Sequence, residues 1–198
     1  ISEQAIVISV VDLKNDSKKA SSLTQLLNLS TGVKIRQAGG LGSETLINLN
    51  GMQGKSIRMF RDGIPLDYLG RAFDISLVPT SNLERVEIYK GVLPVEMGSD
   101  ALSGGINLIT KKQTDNSINL SYGFGSFHSH EFTVSSHIFL PGKKAFISTQ
   151  SYFVTSDNNY RIDAKVVDND TRNYKSVQVK RFHDGINSLY VSGTIGLI

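Results

Sequence analysis

The carboxylates Asp62, Asp67, Asp74, Glu84, Glu87 and Asp100 are the groups in this chain best suited to acid–base chemistry. Two of them held close together could work as general acid and general base. Most fall in turns or on the polar sides of strand-like runs, where carboxylates ordinarily sit in water. His128 and His130 are two residues apart, which puts both rings on one face of a strand, as a metal pair would need. Third and fourth ligands are not evident, so solvent- or lumen-facing histidines are the better reading and no metal is expected. Gly51 to Ser56 (GMQGKS) ends like a phosphate-binding loop. That loop needs a glycine five residues ahead of Gly54, where Leu49 stands, and a helix afterwards to receive the phosphate. Here SIRMFR follows and alternates like a strand, so a turn between two strands is expected. Neither G-x-S-x-G nor H-E-x-x-H occurs. No catalytic residue is assigned, and an enzyme is the weak reading.

The elements that position these groups change character near residue 112. Ala5 to Val11 is a β-type run, and Lys19 to Leu29 reads as a short helix with Leu23, Leu26 and Leu27 on one face. Ser21 or Ser22 is its expected cap. Strands are expected at 32–36, 45–50, 56–61, 84–89 and 106–109. In the strand at 84–89, Val86 and Ile88 point inward and Glu87 outward. Asp62-Gly63 is a hairpin-turn signal. Beyond residue 112, apolar and polar residues alternate through Ile118–Phe124, Phe132–Leu140, Ala145–Val154, Val177–Phe182 and Leu189–Leu197. Asp157 to Thr171 reads as a polar loop. The expected product is an antiparallel meander with one apolar and one polar face. Two environments fit it: a half-buried sheet in water, or strands with lipid outside and a hydrated lumen inside.

Composition narrows the function classes. The 198 residues are 39% hydrophobic, which suits one modest core or a domain with an appendage. A net charge of +3 is too weak to point to nucleic acid. The absence of cysteine removes disulfides, thiolate zinc sites, iron–sulfur clusters and cysteine catalysis. No apolar run is long enough for a membrane helix, whereas membrane strands need only about 10 alternating residues. No signal peptide opens the chain and it ends inside a strand, so a trimmed piece of a longer protein is expected.

Five blocks, in order, resemble one family: SLTQLLNLSTGVKIR (22–36), ETLINLNG (44–51), SIRMFRDGIPLD (56–67), LVPTSNLERVEIYKG (77–91) and VEMGSDALSGGINLITKK (95–112). This order resembles the plug domain of TonB-dependent outer-membrane receptors, most closely those of the Bacteroidetes group. The tail resembles the first strands of the barrel that surrounds such a plug. The resemblance implies an α+β plug with a small mixed sheet at 1–112, then antiparallel strands of an incomplete transmembrane β-barrel at 113–198. Barrels of this family have 22 strands. That number needs roughly 220 residues before any loops, so this chain alone is not expected to form a pore.

The resemblance also assigns roles. It implies a receptor in the bacterial outer membrane, with the plug between periplasm and barrel lumen. The plug gates energy-dependent uptake of a scarce nutrient: an iron–siderophore, haem, cobalamin or a glycan. Arg36, Gln37, Gly40 and Ser43 match the first apical loop, and Tyr68, Arg71 and Phe73 the second; both loops face ligand in relatives. Glu84, Arg85 and Glu87 match a charged element that docks the plug to the barrel, with Asn50, Gly51, Gly98, Ser99 and Asp100 as further docking positions. Relatives usually carry Arg where Asn50 stands, so one docking charge is absent or its partner has changed. Gly104 and Gly105 belong to a stretch that packs the end of the plug against the barrel wall, and Ile106 to Ile109 enters the plug sheet. Ala5, Ile6, Val7 and Ile8 form either the TonB-contacting box or the first plug strand. TonB and a small-molecule or glycan ligand are the expected partners, with a surface lipoprotein in some relatives; no cofactor is expected. The alternative is a self-contained periplasmic or surface binding module that reuses the plug fold.

Overall fold

The computed structural model describes residues 8–13, 22–67, 74–98, 103–111, 114–142, 144–167 and 172–197. The chain divides into two compact units, Ile1–Asp115 and Asn116–Ile198.

The first unit is built on a mixed five-stranded sheet. In chain order its strands are β1 (Ile8–Asp12), β5 (Ile57–Arg61), β6 (Ile64–Pro65), β7 (Leu83–Lys90) and β8 (Gly104–Thr110), arranged β1-β7-β8-β5-β6. The pairing of β5 with β8 is parallel and the others are antiparallel. A smaller sheet joins β2 (Val33–Gln37), β3 (Thr45–Leu49) and β4 (Met52–Gln53). One helix, α1 (Leu23–Asn28), is described; Ser22 Oγ accepts from the Gln25 amide and caps it. Residues 19–21 of the expected helix and 5–7 of the first expected strand lie outside the described residues.

Alternation on the sheet separates two faces. Val86 and Ile88 of β7 lie opposite Leu108 and Ile106 of β8, and all four are fully buried. They join Leu23, Leu26 and Leu27 of α1 and Val33, Ile35 and Leu49 of the small sheet in one core. The other face carries Arg85, Glu87, Tyr89 and Asn107, with a small cluster of Phe60, Tyr89 and Leu93. Two Asx-Gly pairs close tight hairpins, as their positive backbone angles allow. Asn50 and Gly51 (φ 51° and 86°) join β3 to β4, and Asp62 and Gly63 (φ 50° and 80°) join β5 to β6. The turn expected within GMQGKS therefore sits at its start, and the remainder forms β4 and a short 3-10 turn rather than a phosphate loop.

The second unit is a four-stranded antiparallel sheet with a separate hairpin. Its strands are β9 (Ser117–Gly125), β10 (Ser129–Phe139), β11 (Ala145–Ser156) and β14 (Ile186–Leu197), in the order β14-β11-β10-β9. The hairpin pairs β12 (Arg161–Val167) with β13 (Tyr174–Lys180). This corrects the sequence reading twice. Half of the stretch expected as a polar loop is a strand, and Val177–Phe182 contributes to that hairpin, not to the meander. RIDAKVV alternates, but its apolar positions are few and small, and the alternation was masked by flanking Asp and Asn.

Register settles which side of the large sheet is apolar. Leu120, Val134 and Val191 share a face with Phe132, Phe153 and Leu189, and with Ile138, Ile147 and Ile195. This apolar face is the exposed one. Ile118, Leu120, Phe124, Leu189, Val191, Ile195 and Leu197 are between 68% and 87% exposed, while Thr133 and Ser156 on the polar face are 2% and 3% exposed. A sheet folded for water shows the reverse order.

Gly104 shows what holds the five-stranded sheet together. Its φ is +112°, and a Cβ there would collide with the Tyr89 carbonyl oxygen and stand 2.9 Å from the Gly91 amide nitrogen. Gly104→Ala is expected to lower stability by about 3 kcal/mol or more, because both backbone conformation and ladder must yield. Gly51→Ala, at φ +86° but in open space, is expected to cost only about 1–2 kcal/mol. Urea denaturation of the two variants against wild type checks the difference.

Candidate functional site

The first candidate surface is the tip of the β2–β3 hairpin. Arg36 sits opposite Leu46 on the exposed face of the small sheet. Gln37 Nε2 donates to the Gly40 carbonyl at 2.8 Å, and the Ser43 amide donates to the same oxygen at 3.1 Å. The Ala38 amide closes the loop on the Glu44 carbonyl at 3.0 Å. The fold thus brings Arg36, Gln37, Gly40 and Ser43 together in one ordered tip. Asp74 braces it from a distant part of the sequence. Its Oδ1 accepts from the Ser76 amide (2.7 Å) and from Thr45 Oγ1 (3.1 Å), and Ser76 Oγ accepts from the Gly42 amide (3.4 Å). Asp74 is therefore a loop brace, not a proton-transfer group. Tyr68, Arg71 and Phe73 lie outside the described residues. Asp67, the last residue described before them, pairs through Oδ2 with Arg58 Nε at 2.5 Å.

The second candidate surface is the polar face of the main sheet. Arg85, Glu87 and Tyr89 alternate along β7, so their side chains share that face, and Asn107 of β8 stands directly opposite Glu87. Arg85 donates to Glu87 Oε1 from Nε (2.9 Å) and Nη2 (2.8 Å). Tyr89 Oη (2.8 Å) and Asn107 Nδ2 (3.2 Å) donate to Oε2. Burial pushes the Glu87 carboxyl up, but the bonds from Tyr89, Arg85 and Asn107 outweigh it and hold it below its ordinary range. Burial, and then the neighbouring Glu87, push the Tyr89 phenol up to about 12. A carboxylate with all these donors fixed is an anchor, not a base in waiting. Glu84 is held more loosely, 3.7 Å from Arg85 Nη1. Sequence reasoning singled out the three charged residues and missed Tyr89 and Asn107. The i, i+2, i+4 spacing of Arg85, Glu87 and Tyr89 carried the signal for the first; only the β7–β8 register reveals the second.

The remaining assigned positions have local structural duties. Asn50 occupies a left-handed turn position that Asn tolerates far better than Arg, and its amide donates to the Gly32 carbonyl at 2.8 Å. Gly98 has φ +87° with open space around it. Ser99 and Asp100, and Ala5, Ile6 and Val7, lie outside the described residues. Ile8 opens β1, opposite Tyr89. Gly104 and Gly105, expected against a barrel wall, instead make their close backbone approach within the five-stranded sheet. Gly105 lies 3.0 Å from the Arg58 carbonyl oxygen and 3.0 Å from Phe60 Cε2, measured from where its Cβ would be. Ile106 and Leu108 lie in that sheet as expected. Asp62 accepts from the Thr110 amide (2.9 Å) and hydroxyl (2.8 Å), which makes it a turn lock. His128 and His130 do not converge: His128 Nδ1 meets Asp157 and His130 Nδ1 meets the Tyr122 hydroxyl, each at 2.7 Å. Among the described residues no group of three metal-ligating side chains occurs.

Known proteins place this arrangement. Residues 1–105 match the TonB-dependent Receptor Plug Domain family, and the chain belongs to that family. It is 28% identical over 149 residues to the vitamin B12 transporter BtuB of Vibrio cholerae serotype O1, covering 74% of this chain. The chain spans 24% of the length of that relative. Among solved structures it superposes on a mutant of the ferric enterobactin receptor PfeA from Pseudomonas aeruginosa with a TM-score of 0.68 at 15% identity, covering 96% of this chain and 30% of that one. The siderophore receptor PirA from the same organism gives 0.62 at 18% identity, covering 98% and 33%. The plug-and-barrel-strand architecture is thereby shared. The family is one of receptors, not of enzymes.

The Glu87 cluster sets a pH window. Glu87 stabilises fully above the ordinary carboxylate pKa, and that contribution is lost as pH falls through its lowered folded value. Tyr89 stabilises fully below pH 10.0, and its contribution is lost as pH rises toward about 12. Glu87→Gln is expected to cost about 2 kcal/mol at neutral pH through its charge-assisted bonds. Tyr89→Phe is expected to remove the alkaline limb. Denaturation midpoints across the pH range read both.

Proposed function

We propose that this chain is the plug and the opening barrel strands of an outer-membrane receptor, and that the plug gates energy-dependent uptake of a scarce small nutrient. One observation carries this reading. A plug-family domain runs, in the same chain, into an antiparallel sheet whose apolar face is the exposed one. A self-contained soluble module would bury that face; a lipid bilayer accepts it. The plug occupies residues 1–112 and the barrel strands 113–198.

In this reading the ligand meets the apical tips: Arg36, Gln37, Gly40 and Ser43 on the first loop, and Tyr68, Arg71 and Phe73 on the second. Arginines there suit an anionic ligand through paired N–H donors, and Tyr68 and Phe73 offer flat apolar contact. Glu84 and Arg85 are the charges this reading assigns to docking, while Glu87 fixes the strand that carries them. The segment Ala5–Val7 ahead of β1 is short, apolar and β-prone, which suits strand addition to the energy-transducing partner TonB. Relatives named for vitamin B12 and for siderophores set the first ligands to test.

Mass spectrometry of the parent protein, extracted gently from outer membranes, tests the proposal. A corrinoid or ferric chelate co-purifying with it is the expected result. Failure to extract any membrane-inserted parent overturns the reading. With a ligand in hand, Arg36→Ala is expected to weaken binding about tenfold, or roughly 1.4 kcal/mol, without changing the amount of inserted protein. Equilibrium binding on the purified receptor measures it.

A further inference from the structure

Two aspartates bracket residues 68–73 in the chain, and each is fastened to a different sheet. Asp67 pairs through Oδ2 with Arg58 of β5, in the main sheet, at 2.5 Å. Asp74 is tied to the small sheet instead. One of its oxygens, Oδ1, accepts from Thr45 Oγ1 at the foot of the 36–43 tip (3.1 Å) and from the Ser76 amide (2.7 Å). Ser76 Oγ in turn accepts from the Gly42 amide inside the tip (3.4 Å). The first loop is thus held by side chains that come immediately after the second in the chain. Among the described residues no strand ladder joins the small sheet to the main one, so side-chain bonds of this kind set where the tip stands.

The turn that follows Asp74 is firmly seated. Ile75 and Leu77 of the 3-10 turn Ile75–Leu77 are 3% and 7% exposed, and Ile75 belongs to the core under α1. Asp74 itself is extended (φ −125°, ψ 121°) and caps that turn from outside. A displacement arriving from residues 68–73 is therefore taken up at Asp74, the last residue ahead of the buried turn. A single carboxylate oxygen holds both Thr45 and Ser76. Turning Asp74 out of its cap loosens both ties to the tip at once.

We propose that Asp74, acting through Thr45 and Ser76, couples the two ligand-facing loops, so that the position of residues 68–73 sets the shape of the 36–43 tip. The inference rests on the reading above that both loops face the ligand. Asp74 is a positioning residue in this coupling. A ligand that draws on residues 68–73 also selects the arrangement of Arg36, Gln37, Gly40 and Ser43. The two loops then bind as one unit rather than as two independent patches. Coupling of this kind is reciprocal, so the tip acts on residues 68–73 to the same degree.

The test is hydrogen exchange, read by mass spectrometry on the full-length receptor in detergent with no ligand added. Deleting Leu69 and Gly70 shortens the chain between Asp67 and Asp74. The deletion is expected to speed exchange in the peptide covering 38–45 about tenfold, the scale of losing a hydrogen-bonded tie. Asp74→Ala alone is expected to speed it by a similar factor, and the deletion added to Asp74→Ala to change nothing further. An unchanged tip in the deletion variant overturns the inference. So does an equal increment with and without Asp74, which is the behaviour of a purely local brace. Peptides from β7 and β8 report whether the fold is intact. Where the deletion disturbs them, Thr45→Val decides the matter. It leaves the sequence of residues 68–73 untouched and is expected to speed their exchange severalfold; no change there overturns the inference. A receptor that couples the loops in this way yet binds no ligand through Arg36 or Arg71 brings down the ligand reading instead.

Discussion

Strand β8 is the constraint on which the plug depends. It is paired over five or more residues on each side, with antiparallel β7 on one and parallel β5 on the other. At its start Gly104 leaves no room for a side chain against the Tyr89 carbonyl, and a Cβ at Gly105 would stand only 3.0 Å from the Arg58 carbonyl oxygen. Everything near it then takes its bearings from β8. The Ser103 amide donates to the Ser56 carbonyl at 3.0 Å, Asn107 Oδ1 accepts from the Gly63 amide at 3.1 Å, and Thr110 is held by Asp62. Asn107 serves two neighbours at once, since its amide nitrogen also reaches Glu87. One strand therefore fixes a hairpin turn on one side and a charged anchor on the other.

The second unit answers to a different solvent. Its strands alternate as cleanly as any half-buried sheet, yet the apolar residues are the exposed ones. That inversion is a statement about surroundings, because the hydrophobic effect in water would drive the same residues inward. The polar face is served by small and hydroxylated side chains such as Thr133, Ser148 and Ser156, with Tyr152 and Tyr190 stacked 4.9 Å apart across β11 and β14. Where the strands end, polar groups take over within one or two residues, as at Thr155 and Asn187.

Much of this was legible in the sequence, and the exceptions are instructive. The helix cap at Ser22, the Asp62-Gly63 hairpin and the inward Val86 and Ile88 follow from local rules. So does the glycine-rich turn at 38–43, since its bonds run between near neighbours. What failed was whatever depended on distant partners. Glycines at 104 and 105 announce a close approach but not what is approached; the answer lies on β7 and β5, some 15 and 45 residues earlier. Asp74 reads as a candidate acid until the fold lays it against Thr45. Strand β12 is hidden because its apolar side chains are sparse, and a strand with little to bury leaves little periodic trace; its partner β13 overlaps the strand expected at Val177–Phe182. The choice between water and lipid for the tail also lay beyond alternation, which is the same in both.

These two halves of the physics meet in how unevenly the plug strands are held. β7 and β8 are tied along both edges and further joined by the Glu87 bonds, so separating them breaks ladder and side-chain contacts together. β1 is the edge of the sheet, paired over five residues along one side only. Its side chains split between core and surface: Val11 packs on the core, while Ile8 and Val10 are about half exposed. An edge strand with half its apolar surface uncovered costs less to detach than the central strands β7 and β8. It is also the strand that follows directly on the N-terminal segment. The β1–β7 ladder can therefore open without disturbing the glycine-locked centre, because the anchor at Glu87 keeps β7 in register with β8.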